Sequence, residues 1–360
     1  MLKIPVAQLE ADAPAQQPAI WEKPFAASLD LLRAIGERRA ALGLPQPGTL
    51  ENVNKEVSKD VFLTNYFFTG LRADIAKGFS LMPAFSLTHS LSVGSQCSAP
   101  YSLGAVFASD KMMLQGNLES SGSLSGRANV QWSPFNLSSA RFQIAEGQPT
   151  MVQLEHDWLG SDFSVNFKGV NPSVLDGGFT GVFVGSLLQS VTSRLALGLE
   201  TVYSRQSVRY PPDTGVSYVG RYTTPTWIAS AQLQASGNIT ASFWRRLTEK
   251  SEAGIETVLG PGNPQALMMG APPTIEGSTT LGAKYEFRQS IFRGQIESSG
   301  KASCLLEHRV LPMLTLMVCN EIDYAKNTTR MGLGVQIEAS TPEVLEQHQR
   351  MMEEQQMNSL

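Results

Sequence analysis

The sequence predicts an all-β transmembrane barrel of about nineteen strands, with helical segments before it and a short helix after it. Three observations predict this. From about Phe67 to Ala339, short segments alternate apolar and polar residues with period two. They are broken by Gly, Pro, Asn and Ser, and none reads as a long helix. No run reaches the roughly 18 apolar residues of a membrane-spanning helix; the longest candidate, Val310 to Cys319, contains Pro312 and Thr315. Charged residues make up only 17% of the chain, against about 25% in an ordinary globular domain.

The ends come first. Residues 1–20 are rich in Ala, Pro and Gln and read as a disordered tail. Residues 21–65 read as helical. Pro24 opens a helix that Gly43 closes, with Phe25, Leu29, Leu32 and Ile35 at helical spacing. Thr49 caps a second helix through Asp60 that carries Leu50, Val53 and Val57 on one face, with Glu51 and Lys55 spaced for an i,i+4 pair. At the other end, 340–360 reads as a polar helical tail started by Pro342.

Between them lies the barrel, 66–339. Its strands read as 67–76, 79–89, 101–109, 112–121, 123–132, 136–145, 150–158, 161–169, 177–187, 190–203, 217–223, 226–235, 238–246, 251–259, 277–287, 290–297, 300–308, 312–321 and 329–339. The alternation assigns faces. Val152, Leu154, His156 and Trp158 oppose Gln153, Glu155 and Asp157; Phe163, Val165 and Phe167 oppose Asp162, Ser164, Asn166 and Lys168. Tyr66, Phe67, Phe68, Phe79, Tyr101, Trp132, Trp158, Trp227 and Trp244 fall near strand ends, as interfacial girdles require.

So many sequential strands admit few architectures. No propeller repeat is visible. Closure removes the edges a sheet of this size exposes. A ring this wide cannot be filled by side chains, so an apolar inside leaves a void. Apolar outside and polar inside, set in lipid, satisfies both conditions. The inferred lumen then carries Asp74, Glu119, Glu155, Asp157, Asp162, Glu200, Glu252, Glu256, Glu286 and Glu297, acids that attract a basic passenger.

Composition narrows the function. Lys and Arg number 28 against 32 Asp and Glu, a net charge of -4, which argues against nucleic acid as a partner. Cys97, Cys304 and Cys319 form no CxxC pair, and His89, His156, His308 and His348 are scattered, so neither a metal site nor a disulfide framework is expected. No GxSxG, HExxH or Walker sequence is present, so neither enzyme nor cofactor chemistry is expected. The N-terminus carries no secretory or arginine-rich transit signal.

The run from Pro47 to Gln96, densest between Asn52 and Asp74, resembles the mitochondrial outer-membrane protein-import channel, the pore-forming subunit of the translocase of the outer membrane, in its fungal form. The resemblance extends through 101–134 and 280–310 and covers the chain beyond about residue 45. It implies a nineteen-stranded barrel of the eukaryotic porin superfamily whose first and last strands pair in parallel. It implies that the segment bearing Leu50, Val53 and Val57 lies in the lumen and that both termini face the intermembrane space. It also implies a sorting signal in the last strand, matched by Arg330, Gly332, Val335 and Ile337.

The partners it implies are precursor proteins with basic amphipathic presequences, central and peripheral import receptors, small single-helix subunits, intermembrane-space chaperones and membrane lipid, in an oligomeric complex without nucleic acid. The alternatives are a voltage-dependent anion or metabolite porin of the same fold, expected to have a more basic lumen, and a soluble all-β interaction scaffold.

Overall fold

The computed structural model describes residues 42–94, 99–173, 178–262 and 275–340. The expected tail 1–20, the helix opened by Pro24 and the helical tail 341–360 lie outside the described residues. The barrel lies in the compact unit from Pro45 onward.

Nineteen strands form one sheet among the described residues: β1 (Gly70–Leu81), β2 (Ala84–Val93), β3 (Tyr101–Ala108), β4 (Met112–Glu119), β5 (Leu124–Ser133), β6 (Asn136–Ile144), β7 (Met151–Leu159), β8 (Phe163–Ser173), β9 (Thr180–Ser190), β10 (Leu195–Arg205), β11 (Asp213–Thr223), β12 (Trp227–Leu233), β13 (Ile239–Thr248), β14 (Ser251–Pro261), β15 (Ile275–Glu286), β16 (Ser290–Glu297), β17 (Lys301–Leu311), β18 (Leu314–Asp323) and β19 (Thr328–Ser340). Each pairs antiparallel with its sequence neighbour, and β1 closes the ring by pairing parallel with β19. An odd number of alternating strands requires that one parallel seam.

Boundaries differ from the sequence expectation in one instructive place. The first strand was expected to end at Ala76, with a turn at Lys77–Gly78. It runs instead from Gly70 to Leu81 and turns at Met82–Pro83. Gly78 marks a register irregularity against β2. A glycine inside a strand signals a bulge as readily as a turn.

The face assignment holds around the ring. Leu71, Leu114, Leu154, Phe167, Leu197, Leu281, Leu306 and Leu333 are exposed on the outer face, where lipid would cover them. Trp132, Phe135 and Trp158 cluster at one rim with Trp227, which stacks on Tyr222. Four expected girdle members face inward or pack inside instead. Trp244 is buried in the lumen, Phe67 and Phe68 pack against Leu63, and Arg293 lies over the Tyr66 ring. Proximity to a strand end does not reveal which face a ring takes.

The seam explains one residue of the expected sorting signal. Arg330 and Gly332 face the lumen, while Val335 and Ile337 face outward. A Cβ on Gly332 would lie 2.3 Å from the Phe68 carbonyl oxygen. Gly332→Val is therefore expected to destabilise the closed barrel by about 1–3 kcal/mol through overpacking. Urea unfolding of the detergent-refolded variant checks this, and Val335→Ile, on the outer face, should leave stability nearly unchanged.

Candidate functional site

The lumen is lined by polar side chains, and an inner segment occupies part of it. Residues 45–63 run along the inside of the wall. They form a 3-10 turn (Leu50–Asn52) and a π-helical turn (Glu56–Val61), not the single helix expected from Thr49 to Asp60. The expected apolar face is nevertheless present. Leu50, Val53 and Val57 are buried, followed by Val61, Phe62 and Leu63. The wide turn, closed by Phe62 N–H donating to the Val57 carbonyl at 2.9 Å, brings successive apolar residues onto the same wall. Thr49 makes no side-chain cap; its hydroxyl accepts from Asn52 Nδ2 at 2.8 Å. Glu51 pairs with Lys168 of β8, 3.6 Å away, and not with Lys55.

Three apolar contacts seat this segment. Leu50 and Val53 pack on Leu188, Ala196 and Val219; Val57, Val61 and Phe62 pack on Trp244 and Ile228; Leu63 packs on Leu305 and Cys319. Gly254 and Gly282, lumenal neighbours on β14 and β15, form the notch that receives the middle group. A Cβ on Gly282 would lie 2.7 Å from Phe62, and one on Gly254 would lie 3.2 Å from Val57.

Polar anchors complete the seat. Arg221 donates to Glu56 Oε1 at 2.7 Å and to the Asn52 carbonyl at 3.2 Å. Arg293 donates to the Asp60 carbonyl at 3.3 Å and to Glu307 at 2.9 Å. Ser230 and Ser242 both donate to Asn54 Oδ1. Ser164 and Ser190 donate to the Gly48 and Pro45 carbonyls, and Gln295 accepts from the Leu63 amide. Charged hydrogen bonds of this kind contribute about 1.5–3 kcal/mol. Arg221→Met is thus expected to cost about 2 kcal/mol and to loosen the segment; accelerated limited proteolysis between 45 and 63 is the readout.

These contacts reach from β8 to β18, so the lumen has two arcs. One, β8–β18, is lined by the inner segment. Among the described residues these contacts do not reach the other arc, β1–β7. The segment starts beside Ser190, at the rim where the odd-numbered strands end, and crosses to the rim where β1 begins. Since β19 runs parallel to β1, Pro45 and Ser340 lie at the same rim. That rim has the short connections 82–83, 109–111, 134–135, 160–162 and 191–194. The β10–β11 and β14–β15 connections leave from the opposite rim.

The nine expected acids that lie in strands share the lumenal register, and the arcs divide the set. On the open arc, Asp74 is 7% exposed and pairs with Arg72 at 2.7 Å, leaving its second oxygen buried without a partner. Glu119 accepts from Ser121. Glu155 and Asp157, two residues apart on β7, share the Asn166 amide at 2.6 and 2.7 Å. Asp162 is buried at the β7–β8 turn.

On the lined arc, Glu252 stands 3.8 Å from Arg246, Glu286 pairs with Lys284 at 2.6 Å, and Glu297 accepts from Gln295 and Ser299. Glu200 lies within electrostatic reach of Lys168, and Glu256 sits opposite Ser242. The acids are therefore held by local partners and spread over both arcs; Glu155 and Asp157 form the one close pair among them. The anchors Arg221, Arg293, Asn54 and Trp244 were not anticipated. Alternation puts them on the inner face, but nothing local marks what meets them there.

No helix among the described residues is long and apolar enough to cross a membrane. Among the described residues no group of three or more His, Cys, Asp or Glu could hold a metal. Residues 46–332 match the model of the eukaryotic porin family. The chain belongs to the eukaryotic porin family.

Relatives sharpen the placement within the eukaryotic porins. The chain is 52% identical to the mitochondrial import receptor subunit TOM40 of Saccharomyces cerevisiae, over 87% of this chain and 83% of that one. It is 46% identical to the tom40 subunit of Neurospora crassa, over 89% and 91%. It is 27% identical to the mouse TOM40 homolog, over 82% and 79%. The match begins at the inner segment and includes every strand through the start of β19.

Proposed function

We propose that the chain is a protein-conducting channel of the mitochondrial outer membrane, passing unfolded precursors that carry basic amphipathic presequences. The observation that carries this reading is the two-arc lumen. An inner segment fixed to β8–β18 narrows the pore, and β1–β7 offers a polar wall with acids grouped at Glu155 and Asp157. The high identity to the yeast and Neurospora import subunits supports the same assignment.

The mechanism is passive. A basic segment enters the acidic field, is held weakly by carboxylates that already have partners, and is released without a high barrier. Direction comes from outside the barrel, from receptors on one side and presequence affinity or motors on the other. Central and peripheral receptors, small single-helix subunits that dock on the apolar outer face, and intermembrane-space chaperones are the proposed partners, in an oligomeric complex. The rim holding Pro45 and Ser340 faces the intermembrane space in this reading, so the β10–β11 and β14–β15 connections face the cytosol. Arg330, Gly332, Val335 and Ile337 form the sorting signal, read as an exposed strand edge by strand addition.

Planar-bilayer recording of the refolded chain tests the proposal. A large, cation-preferring conductance that a basic amphipathic presequence peptide closes intermittently, while a charge-scrambled non-helical control does not, is expected. An anion-preferring conductance indifferent to the peptide would make it a metabolite porin.

A further inference from the structure

The open arc also carries a cationic pocket. Across β4 to β7 the lumenal register sets Gln115, Arg127, Arg141 and Gln153 side by side in one row. Arg127 and Arg141 are directly opposed on neighbouring antiparallel strands. Like charges so placed repel, and the sheet gains nothing from the pair. The row lines a pocket of about 370 Å³ together with Asn117 and Gln143.

The donors of this row are incompletely used. Arg141 Nε and Gln153 Nε2 are buried and have no hydrogen-bond partner, and Gln153 is only 8% exposed. Arg127 gives its Nε to a neutral acceptor, Asn129 Oδ1, at 3.0 Å. Among the described residues one carboxylate approaches: Glu155 stands 3.8 Å from Arg141 Nη2, and it already accepts from Asn166. It balances at most one of the two guanidinium charges. Both atoms left without a partner are N–H donors, and both line the same pocket.

We propose that this pocket is an oxyanion site that takes a phosphate or carboxylate group between Arg127 and Arg141, with Gln153 donating from the side. A planar guanidinium matches two oxygens of such a group at once, and an anion between two of them removes their mutual repulsion. A single phosphate fills only part of the pocket, which leaves room for whatever chain carries it. The binding itself does not depend on the import reading. If that reading holds, a passenger meets the acids of β7 and this cationic pocket in succession, and acidic stretches are accommodated as well as basic ones.

The test is bilayer recording of the full refolded chain in potassium chloride with inorganic phosphate titrated in. A second arm uses a short unstructured peptide rich in glutamate, with its glutamine analogue as control. Phosphate is expected to alter the open-channel current saturably. The Arg127→Gln/Arg141→Gln double variant should raise the half-saturating concentration at least about tenfold, since two charge-assisted contacts are lost. Arg246→Gln, which removes a lumenal cation on β13, should leave it within about twofold and so separates the site from the general lumenal field.

If the double variant fails to refold, Arg141→Lys keeps the charge, removes Nε, and is expected to shift the midpoint about threefold. A glutamate peptide that competes with phosphate places a passenger's carboxylate in the site; an inert peptide restricts the site to free phosphate. No saturable phosphate effect on the native channel, or the same effect in the double variant, overturns the proposal.

Discussion

Replacing Gly282 with leucine is expected to unseat the inner segment and lower the stability of the refolded barrel by about 2–3 kcal/mol. The position has no room for a side chain. Phe62 stands 2.7 Å, and Val61 3.1 Å, from where a Cβ would be. Val57, Val61 and Phe62 are buried against this patch of wall, and each such side chain contributes about 1.5–3 kcal/mol when fully buried. A leucine there cannot coexist with Phe62, so the central contact opens while the flanking anchors at Arg221 and Arg293 strain to hold. Denaturant unfolding followed by intrinsic fluorescence gives the magnitude, because Trp244 reports on the same contact. Shortening the partner should compensate: Gly282→Leu combined with Phe62→Ala is expected to recover about 1 kcal/mol relative to additivity, as residues in direct contact do. Strict additivity would mean that the segment does not rest on Gly282.

Neutralising Glu155 and Asp157 together is expected to weaken binding of a basic presequence peptide about tenfold, whereas neutralising Glu200 and Glu256 should change it less than about twofold. All four carboxylates face the lumen. The difference lies in how the charges are grouped. Glu155 and Asp157 are two residues apart on the open arc and share one amide, so their charges add at one place. Glu200 and Glu256 lie on the arc that the inner segment lines. An exposed charge contributes only about 0.2–1 kcal/mol to a passing cation; Glu155 and Asp157 are 7% and 8% exposed, so their fields are screened less and the two acting together supply a tenfold effect. Gln and Asn replacements keep the shape of both side chains. Peptide-induced closure at several salt concentrations is the readout, and the native dependence should flatten as salt rises. Equal losses from both pairs would remove the distinction between the arcs.

The barrel was legible in the sequence because its cause is local. Alternation along each strand records which face meets lipid, and Val152 through Asp157 display it without reference to any other strand. Closure followed from the number of strands, whereas the parallel seam was implied only by the family resemblance. The inner segment was legible as an apolar face, Leu50, Val53 and Val57, but not in its geometry. A π turn at Glu56–Val61 forms because the wall, through the notch at Gly254 and Gly282, fixes where Val57, Val61 and Phe62 must point. Helical periodicity alone cannot express that constraint. The acids were legible as lumenal and not as a path. Whether a carboxylate is paired depends on other strands: Glu155 meets Asn166 and Arg141 on its two neighbours, and Glu56 meets Arg221 across 165 residues. Arg127 and Arg141 were hidden for the same reason, since only the register of β5 against β6 sets them face to face.

The central claim is that a passenger moves along the open arc, past β1–β7, while the inner segment stays on the other wall. Site-specific photo-crosslinking to a precursor arrested in transit tests it most directly. A photoreactive side chain at Asn117 or Gln115, lumenal on the open arc, is expected to capture the arrested precursor. The same probe at Val165, on the outer face, should not capture it. At Val219, beneath the inner segment, it should yield only an intramolecular product with residues near Leu50. Capture of the precursor from Val219 as strongly as from Asn117 would mean that the inner segment leaves its seat during transport, and would contradict the account.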